Sequence, residues 1–533
     1  MTSMIRFKKL LIVAALAASP TAFTQSTPAP AAPRSTGTLP TLGDSSELSA
    51  AAERRIGDRI AASIYRDPDF IDDAILADYV QSIWQPLLAS ARARGDLSPE
   101  LSERFAWEAF LIRDRSVNAF ALPGGYFGVH LGLIGTVSSA DELAAVLGHE
   151  LSHVTQRHIS RLITQQSRSA PWMIGAMILG ALAASKNPQV ANALLTGGQA
   201  VAAQSQLNFS RDMEREADRV GYGIMTGGGF DPRGMATMFE KLQQASRLND
   251  SGGFPYLRSH PLTTERLGDA QARFQLGAPG ADKPAAPSLD GRVVHAMMAA
   301  RARVLAEPGV DALRSAVGDA QRAGNTLNEK TAASLYGGAL AAAKLRDYKL
   351  AASLAAQLSG VLGKSTVVAT LGNASKPGLA QAAAQLALEV DLMAGSIPAG
   401  VAQFDVSKAA QANQRADLLL QSRALLVSGR AADVSSTLLG WVNARPKDSG
   451  AWLLLAQAYG QQGKDVRAIW ADAEARVVQF DYTAALDRLK AAQAKMRSSP
   501  ASGDFMDGSI VDTRARQVEL LVREQALQDK LDR

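Results

Sequence analysis

The pattern of apolar and polar residues divides the chain into two long segments of different character. Residues 46–276 mix helical spacing with one strand-like stretch, whereas from Leu289 onward the sequence is rich in alanine and leucine at helical spacing. The segment "GAPGADKPAAPS" at 277–288 lies between them, and its prolines and glycines favour neither helix nor strand. We therefore expect one domain at 46–276, a linker at 277–289 and a helical domain at 290–533.

The helical segment contains an internal repeat. "LLLQSRALLVSGR" at 418–430 aligns with "WLLLAQAYGQQGK" at 452–464, an offset of 34 residues, and a weaker copy lies at 335–355. This period is that of the tetratricopeptide helix pair, which buries its apolar face only against neighbouring pairs. We expect a tetratricopeptide-like solenoid, and an unrelated helical bundle is the alternative.

The N-terminal residues have the pattern of a secretion signal. "MIRFKK" is basic, "LLIVAALAA" is apolar but too short to span a bilayer, and small residues follow. We expect a signal peptide at 1–24 and a disordered linker at 25–45, with a buried N-terminal helix as the alternative. The signal implies a periplasmic location.

Composition and charge exclude several classes of protein. The apolar content of 47% and charged content of 20% are those of a folded soluble protein. The net charge of +5 falls to about +2 without Arg6, Lys8 and Lys9 of the signal, and no basic stripe is interleaved with aromatic residues. We therefore expect no nucleic-acid partner. The absence of cysteine excludes disulfides and thiolate metal ligands.

Half of the six histidines lie within "LGHELSHVTQRH" at 147–158. Ser139 and Glu142 form a capping-box pattern that predicts the start of a helix, and "ELAAVLGHELSHVTQRHIS" continues this helix with apolar residues at helical spacing.

On this helix His149 and His153 share one face, one turn apart, with Glu150 beside them. This is the H-E-x-x-H signature, in which two imidazoles hold one zinc ion. Zinc lowers the pKa of a bound water to about 7, and the glutamate takes the water's proton as it attacks a peptide carbonyl.

A third ligand must come from another segment, because Gln156 and Ile159 occupy the positions of the glycine and third histidine of metzincins. The stretch "NFSRDMEREADRVGY" at 208–222 places Glu214 and Asp218 four residues apart on one helical face. We predict Glu214 as the third zinc ligand and Asp218 as the acceptor of a hydrogen bond from a ligand histidine. An ordinary charged helix face is the alternative.

Four further polar residues lie in or after these motifs. A continuous helix turns His158 away from it, so we expect a surface or capping histidine, and Glu216 should also point elsewhere. His260 could approach the open zinc position, either steadying the transition state or closing the site, or it could cap a helix. Arg266 could pair with a nearby carboxylate.

The motifs "LGHELSHVTQRH" and "FSRDMEREAD" together resemble the metallopeptidase family that includes HtpX and the CAAX prenyl proteases. The resemblance covers roughly residues 48–275. It implies one zinc ion per chain, with His149, His153 and Glu214 as its ligands and Glu150 as the catalytic base.

"SVNAFALPGGYFGVHLGLI" at 116–134 is similar to the hairpin that precedes the zinc helix in this family, with the turn at 123–125. An edge strand there could pair with the backbone of an extended substrate.

The resemblance implies a mainly α fold, with a zincin-like metalloprotease domain (α+β with a small sheet) followed by the α-helical solenoid. The order of signal, soluble protease and repeat tail is similar to that of periplasmic members of the family. It implies a zinc endopeptidase with glutamate as third ligand that cleaves misfolded or stalled envelope proteins. The repeats would recruit unfolded or misassembled clients or the outer-membrane β-barrel assembly machinery. The alternative is an assembly chaperone or scaffold with little proteolysis.

The apolar stretch "PWMIGAMILGALAA" at 171–184 is short for a membrane span. A buried hairpin or lid is one interpretation, and transient contact with a membrane or an unfolded client is the other.

Overall fold

The computed structural model describes residues 48–166, 210–247, 255–275, 288–363, 378–398, 400–498 and 505–531. The expectations for the signal peptide at 1–24, the linker at 25–45, the apolar stretch at 171–184 and most of the linker at 277–289 lie outside these residues. Residues from Ser46 onward form one compact unit. Within the described ranges, no helix combines the length and the apolar character needed to cross a bilayer.

Up to residue 275 the described chain combines helices with four short strands. Their order is α1 (Ala50–Arg66), β1 (Phe70–Ile71), α2 (Ala74–Ala93), α3 (Pro99–Arg104), β2 (Glu108–Ile112), β3 (Ala119–Leu122), β4 (Tyr126–His130), α4 (Leu131–Thr136), α5 (Ala140–Thr155), α6 (His158–Gln166), α7 (Arg211–Gly227), α8 (Arg233–Arg247), α9 (Tyr256–Ser259) and α10 (Thr264–Gln275).

From residue 288 the described chain is helical, apart from turns. It contains α11 (Leu289–Ala306), α12 (Val310–Gln321), α13 (Glu329–Lys344), α14 (Tyr348–Val361), α15 (Leu379–Met393), a short 3₁₀ turn (Val401–Gln403), α16 (Val406–Gln411), α17 (Arg415–Val427), α18 (Ala431–Ala444), α19 (Ser449–Gln461), α20 (Asp465–Val478), α21 (Tyr482–Ser498) and α22 (Phe505–Leu531). The predicted mainly α fold, with a small sheet in its first part and a helical second part, is confirmed.

The four strands form one sheet in the order β1-β2-β4-β3. Strand β2 is parallel to β4, and β3 is antiparallel to β4, with Leu122 opposite Tyr126. The turn between β3 and β4 contains Gly124 and Gly125 at φ 74° and 79°, a region that favours glycine. The predicted hairpin is therefore confirmed, and it places β3 at an edge of the sheet.

Helix α5 begins where the capping box predicts. Ser139 is the N-cap residue, and its side chain accepts a hydrogen bond from the Glu142 backbone N–H at 3.2 Å. The Glu142 carboxylate in turn accepts one from the backbone N–H of Ser138 at 2.7 Å. Every side chain from Glu142 to Thr155 is buried, because α5 packs against α2, α7, α8 and β3.

The prediction that this helix continues to residue 160 is wrong. Helix α5 ends at Thr155, and Arg157 adopts φ 56° before α6 begins at His158. The Arg157 guanidinium donates to the backbone carbonyl of Leu48 and to the Glu53 carboxylate, the latter at 3.1 Å. The helix break is therefore accompanied by a contact with the N-terminal part of the fold. The local sequence contains no glycine or proline that would predict this break.

The 34-residue period corresponds to a repeated helical hairpin. Helices α17 and α19 begin 34 residues apart, and so do α18 and α20. Gly429 and Gly463 occupy equivalent turn positions at φ 79° and 71°. Arg346 and Phe480 adopt the same left-handed region in the turns from α13 to α14 and from α20 to α21.

The helices after residue 288 share a core with the first part of the chain. Helix α11 packs on α4, and α17 packs on α2. Buried Arg301 on α11 forms ion pairs of 2.6 Å with both Asp73 and Glu389. One continuous cluster of buried apolar side chains runs through both parts.

Asp78 on α2 lies at this junction. Its carboxylate accepts a hydrogen bond of 2.8 Å from the backbone N–H of Ala416, at the start of α17. Burial raises the pKa of Asp78 to about 7. The Ala416 N–H and the Arg415 charge oppose this rise, whereas the carboxylates of Asp417 and Asp448 add to it.

We expect Asp78→Asn to flatten the dependence of stability on pH. The folded-state pKa of Asp78 lies above the ordinary value near 4, so the folded state binds the proton more tightly. The free energy of unfolding of the natural protein then falls between about pH 4 and pH 7, by at most about 1.4 kcal/mol per pH unit. The variant should be the more stable protein at pH 8 but not at pH 4, as measured by urea denaturation. Exposed Asp433→Asn is the control, and parallel pH profiles for Asp78→Asn and the natural protein would contradict this account.

Candidate metal centre

Two buried helices supply most of the polar side chains of the site. Helix α5 supplies His149, Glu150 and His153. Helix α7 supplies Glu214 and Asp218, one turn apart, and both of these carboxylates are buried against α5.

The two helices approach each other at a pair of glycines. A Cβ atom on Gly221 of α7 would lie 3.0 Å from the carbonyl oxygen of Gly148 and 3.0 Å from the backbone nitrogen of His149. A Cβ on Gly148 would lie 3.2 Å from the Gly221 carbonyl oxygen. The absence of both side chains therefore allows the backbones to touch, directly beside His149.

Four side chains converge on one point. His149, His153, Glu214 and His260 each offer a ligand atom, and these atoms lie within 4.8 Å of one another. The Nε2 atoms of His149 and His153 are 3.0 Å apart, and Glu214 oxygens lie 3.4 and 3.5 Å from them. All four side chains are buried. The structure thus brings the three predicted zinc ligands together and adds His260 to them.

His260 enters the group from the end of α9. It is the C-cap residue of this short helix, but its side chain points into the cluster, with Nδ1 2.9 Å from Glu214 Oε1 and Nε2 3.4 Å from Glu150 Oε1. The ring of Tyr256 stacks on the His260 ring at 4.7 Å between centroids. The Tyr256 backbone N–H points to the Val117 carbonyl at 3.4 Å, next to the start of β3.

Glu150 lies beside the group with its carboxylate buried. Among the described residues, neither of its oxygens accepts a well-formed hydrogen bond. Burial raises the pKa of Glu150, and the imidazoles of His260 and His149 oppose that rise. The nearest polar neighbours of the carboxylate are the His260 imidazole, at 3.4 Å, and Tyr256.

Asp218 contacts the Nδ1 side of His149, and Arg266 contacts Asp218. Asp218 Oδ1 lies 2.9 Å from His149 Nδ1. The Arg266 guanidinium donates to both Asp218 oxygens at 2.7 and 2.8 Å, lies 2.8 Å from Glu214 and donates to the Pro261 carbonyl at 2.9 Å. The carboxylate partner that the sequence left open for Arg266 is thus Asp218, together with Glu214.

The charges of the two imidazoles differ in the absence of metal. Burial disfavours a proton on His149, but the carboxylates of Glu214 and Asp218 outweigh it and raise the pKa of His149 to about 10. Burial and the neighbouring His149 charge hold the pKa of His153 well below its usual value. Burial would raise the pKa of Glu214, yet His260 and His149 hold it well below its usual range. A proton on His149 therefore balances an anionic pocket.

These residues fit a metal ion. Imidazole nitrogens and a carboxylate oxygen, closely grouped and buried, are the donors that zinc takes in proteins. A dication at this point would take the place of the proton on His149, and the Glu150 carboxylate lies next to it.

Comparison with known proteins agrees with this donor set. A sequence model of peptidase family M48 matches residues 76–274. The chain is also 30% identical to the beta-barrel assembly-enhancing protease of Escherichia coli K12 over 496 residues, which are 92% of this chain and 94% of that protein. The chain belongs to peptidase family M48.

Other relatives align with most of this chain or with about a third of it. The beta-barrel assembly-enhancing protease of Yersinia pestis is 30% identical over 464 residues, 86% of this chain and 88% of that protein. The mitochondrial metalloendopeptidase OMA1 of Arabidopsis thaliana is 34% identical over 164 residues, 31% of each chain. Membership of family M48 makes this protein a metallopeptidase, and the buried cluster is its candidate metal site.

The expected surface or capping position of His158 in this M48 peptidase is wrong. His158 is fully buried, and its Nδ1 lies 2.9 Å from Nδ1 of His153. The expectation assumed a continuous helix, whereas the break at Arg157 turns His158 back towards the metal site. Glu216, as expected, does not join the four ligands, but it contacts His158 Nε2 at 3.0 Å.

Sequence reasoning therefore missed two residues near the site, His158 and Tyr256. The triplet Gln156-Arg157-His158 carries no helix-stop residue, so spacing alone misplaced His158. Tyr256 lies four residues before His260, which is the only signal that could have suggested a role for it.

We expect Gly221→Ala to weaken metal binding about tenfold or more. The new methyl group must push α7 from α5 by a few tenths of an ångström, and ligand geometry tolerates little displacement. The measurement is the zinc dissociation constant by competition with a chromogenic chelator. The control is Gly440→Ala on α18, where a Cβ has no neighbour within 4 Å. This variant should keep the zinc affinity of the natural protein and gain up to about 1 kcal/mol of stability. Unchanged zinc affinity in Gly221→Ala would show that the close helix contact does not position the ligands.

Proposed function

We propose that the protein is a zinc-dependent endopeptidase of the bacterial envelope that cleaves misfolded or stalled outer-membrane proteins. The observation that carries this proposal is the position of the buried Glu150 carboxylate beside four potential ligand side chains, whose donor atoms lie within 4.8 Å of one another.

Each residue then has a role in hydrolysis. A zinc ion held by His149, His153 and Glu214 supplies Lewis-acid activation of the attacking water and the scissile carbonyl. Glu150 takes the proton of the attacking water and later donates it to the leaving amine.

Asp218 acts through His149. Its carboxylate orients the imidazole through Nδ1 and leaves Nε2 directed at the metal. Arg266 in turn fixes Asp218 by two hydrogen bonds. Neither residue touches the reacting atoms, so both are positioning residues.

We assign His260 to closing the site. Its two ring nitrogens face Glu214 and Glu150, the ligand and the base respectively. On this assignment the imidazole, which also lies 3.3 Å from His149 Nε2, would have to move before a substrate carbonyl could reach the site. A substrate that displaces His260 must also part the Tyr256 N–H from the Val117 carbonyl, because both belong to the same short segment.

The edge of β3 supplies a place for the substrate backbone. Strand β3 is the last strand of the sheet and packs against α5, the helix that carries the base and two ligands. An extended peptide can add to such an edge through main-chain hydrogen bonds, which select for unfolded chains and not for particular side chains.

The setting of this activity follows from the relatives and the N-terminal sequence. The aligned beta-barrel assembly-enhancing proteases match nearly the whole chain, and the first 24 residues have the pattern of a signal peptide. We therefore place the protein in the periplasm, with residues 46–276 as the catalytic domain and 290–533 as a tetratricopeptide-like domain. The second domain would recruit clients or the β-barrel assembly machinery. A chaperone without proteolysis would have no use for Glu150.

We expect Glu150→Gln to retain bound zinc but to lose peptide cleavage by at least about a hundredfold, because an amide cannot take the proton of water. The measurements are the metal content of the purified protein and the rate of cleavage of an unfolded polypeptide, with and without a chelator.

The matched control is Glu240→Gln, an exposed glutamate on α8, which should keep both properties. Peptidase activity in Glu150→Gln equal to that of the natural protein would reject the assigned base. A natural protein that binds no zinc, or that cleaves equally well in chelator, would reject the proposed function itself.

A further inference from the structure

The second ligand histidine, His153, contacts another imidazole on the side away from the other ligands. The Nε2 atom of His153 faces the other ligands, 3.0 Å from Nε2 of His149. Its other nitrogen, Nδ1, lies 2.9 Å from Nδ1 of His158. The support of His153 therefore passes through a second imidazole.

The series of side-chain contacts continues from His158 to a carboxylate. His158 Nε2 lies 3.0 Å from Oε2 of Glu216 on α7. The same oxygen accepts a hydrogen bond of 3.1 Å from the guanidinium of Arg161, one turn along α6. We call these four residues, His153, His158, Glu216 and Arg161, the His153 chain.

Only one set of proton positions lets His153 bind a metal through Nε2. A ligand nitrogen carries no proton, so neutral His153 has its proton on Nδ1 and donates it to His158. His158 must accept at Nδ1, so its own proton is on Nε2. That proton is donated to the Glu216 carboxylate, and Arg161 completes the chain with a positive charge.

We propose that His158 and Glu216 are positioning residues of the metal centre, which fix the tautomer and ring orientation of His153 through a hydrogen-bond chain. This inference rests on the proposed metal-dependent function. The two ligand histidines of the centre are then supported by parallel arrangements, one through Asp218 and Arg266 and the other through His158, Glu216 and Arg161.

The two arrangements differ in exposure. The Asp218 side chain is 6% exposed and contacts its histidine directly, whereas the Glu216 side chain is 32% exposed and acts from one imidazole away. A carboxylate that is more distant and better solvated exerts a weaker pull on the ligand proton. We therefore expect loss of Glu216 to cost less metal affinity than loss of His158.

The test compares zinc dissociation constants, measured by chelator competition, and the visible absorption of the cobalt-substituted protein, which reports ligand geometry. His158→Phe should bind zinc 10- to 100-fold more weakly and alter the cobalt spectrum, since removal of such supporting residues has effects of about this size. His158→Gln should recover most of the affinity, because its amide oxygen can accept from His153 while its N–H₂ group donates to Glu216. Glu216→Ala should lose up to about tenfold.

A double substitution distinguishes an effect that passes through the His153 chain of hydrogen bonds from general damage to the fold. If Glu216 acts only through His158, its effect on zinc affinity should vanish in the His158→Phe background. The matched control is His295→Phe on α11. That histidine is equally buried and contacts the Tyr79 hydroxyl at 2.6 Å and the Val137 carbonyl at 2.8 Å, outside the site. This control should lower the melting temperature but leave zinc affinity unchanged below it.

The outcomes are distinguishable from those of the proposed function. Zinc binding as tight in His158→Phe as in the natural protein would overturn the proposed role of the His153 chain. Full additivity of the effects of the two substitutions on zinc affinity would do the same. Should His158→Phe fail to fold, Glu216→Ala still decides, because its side chain is partly exposed and unchanged affinity there would also overturn the proposal. Absence of zinc binding by the natural protein would instead reject the metal site on which the inference rests.

Discussion

The contact between Gly148 and Gly221 is the constraint on which the rest of the site depends. A metal ion requires its ligands at about 2 Å, and these ligands come from two separate helices. Helices that carry side chains at their crossing point keep their axes some 8–10 Å apart. Without a Cβ on either glycine, α5 and α7 touch through their backbones, so that Glu214 reaches the two histidines of α5 and Asp218 reaches His149.

Burial of so many charges in one place is tolerated because each has a partner. Isolated carboxylates in a protein interior are costly, whereas paired and hydrogen-bonded ones are not. Asp218 has two hydrogen bonds from Arg266, which also lies against Glu214. Glu150 has no guanidinium beside it among the described residues, and its neighbours are the His260 imidazole at 3.4 Å and Tyr256.

The features that sequence could predict depend on local spacing. The capping box of α5, the one-turn separation of the two ligand histidines and the turn with Gly124 and Gly125 all involve neighbours within a few residues. The position of His158 could not be predicted, because the helix breaks at Arg157 in a contact with Leu48, more than 100 residues away. In the same way, the 34-residue period predicts hairpins but not which face of the peptidase they cover.

The shared core has a consequence for the order in which this protein can be made. Arg301, the cation that neutralises Asp73, follows it by 228 residues. At about 5–20 residues per second, the ribosome completes Asp73 roughly ten to fifty seconds before it reaches Arg301. During this interval α2 and α4 present uncovered apolar surface. Until α11 and α17 have packed, the first part of the chain therefore keeps an exposed apolar surface and an Asp73 carboxylate without Arg301, so that its fold is complete only after these later helices have been made.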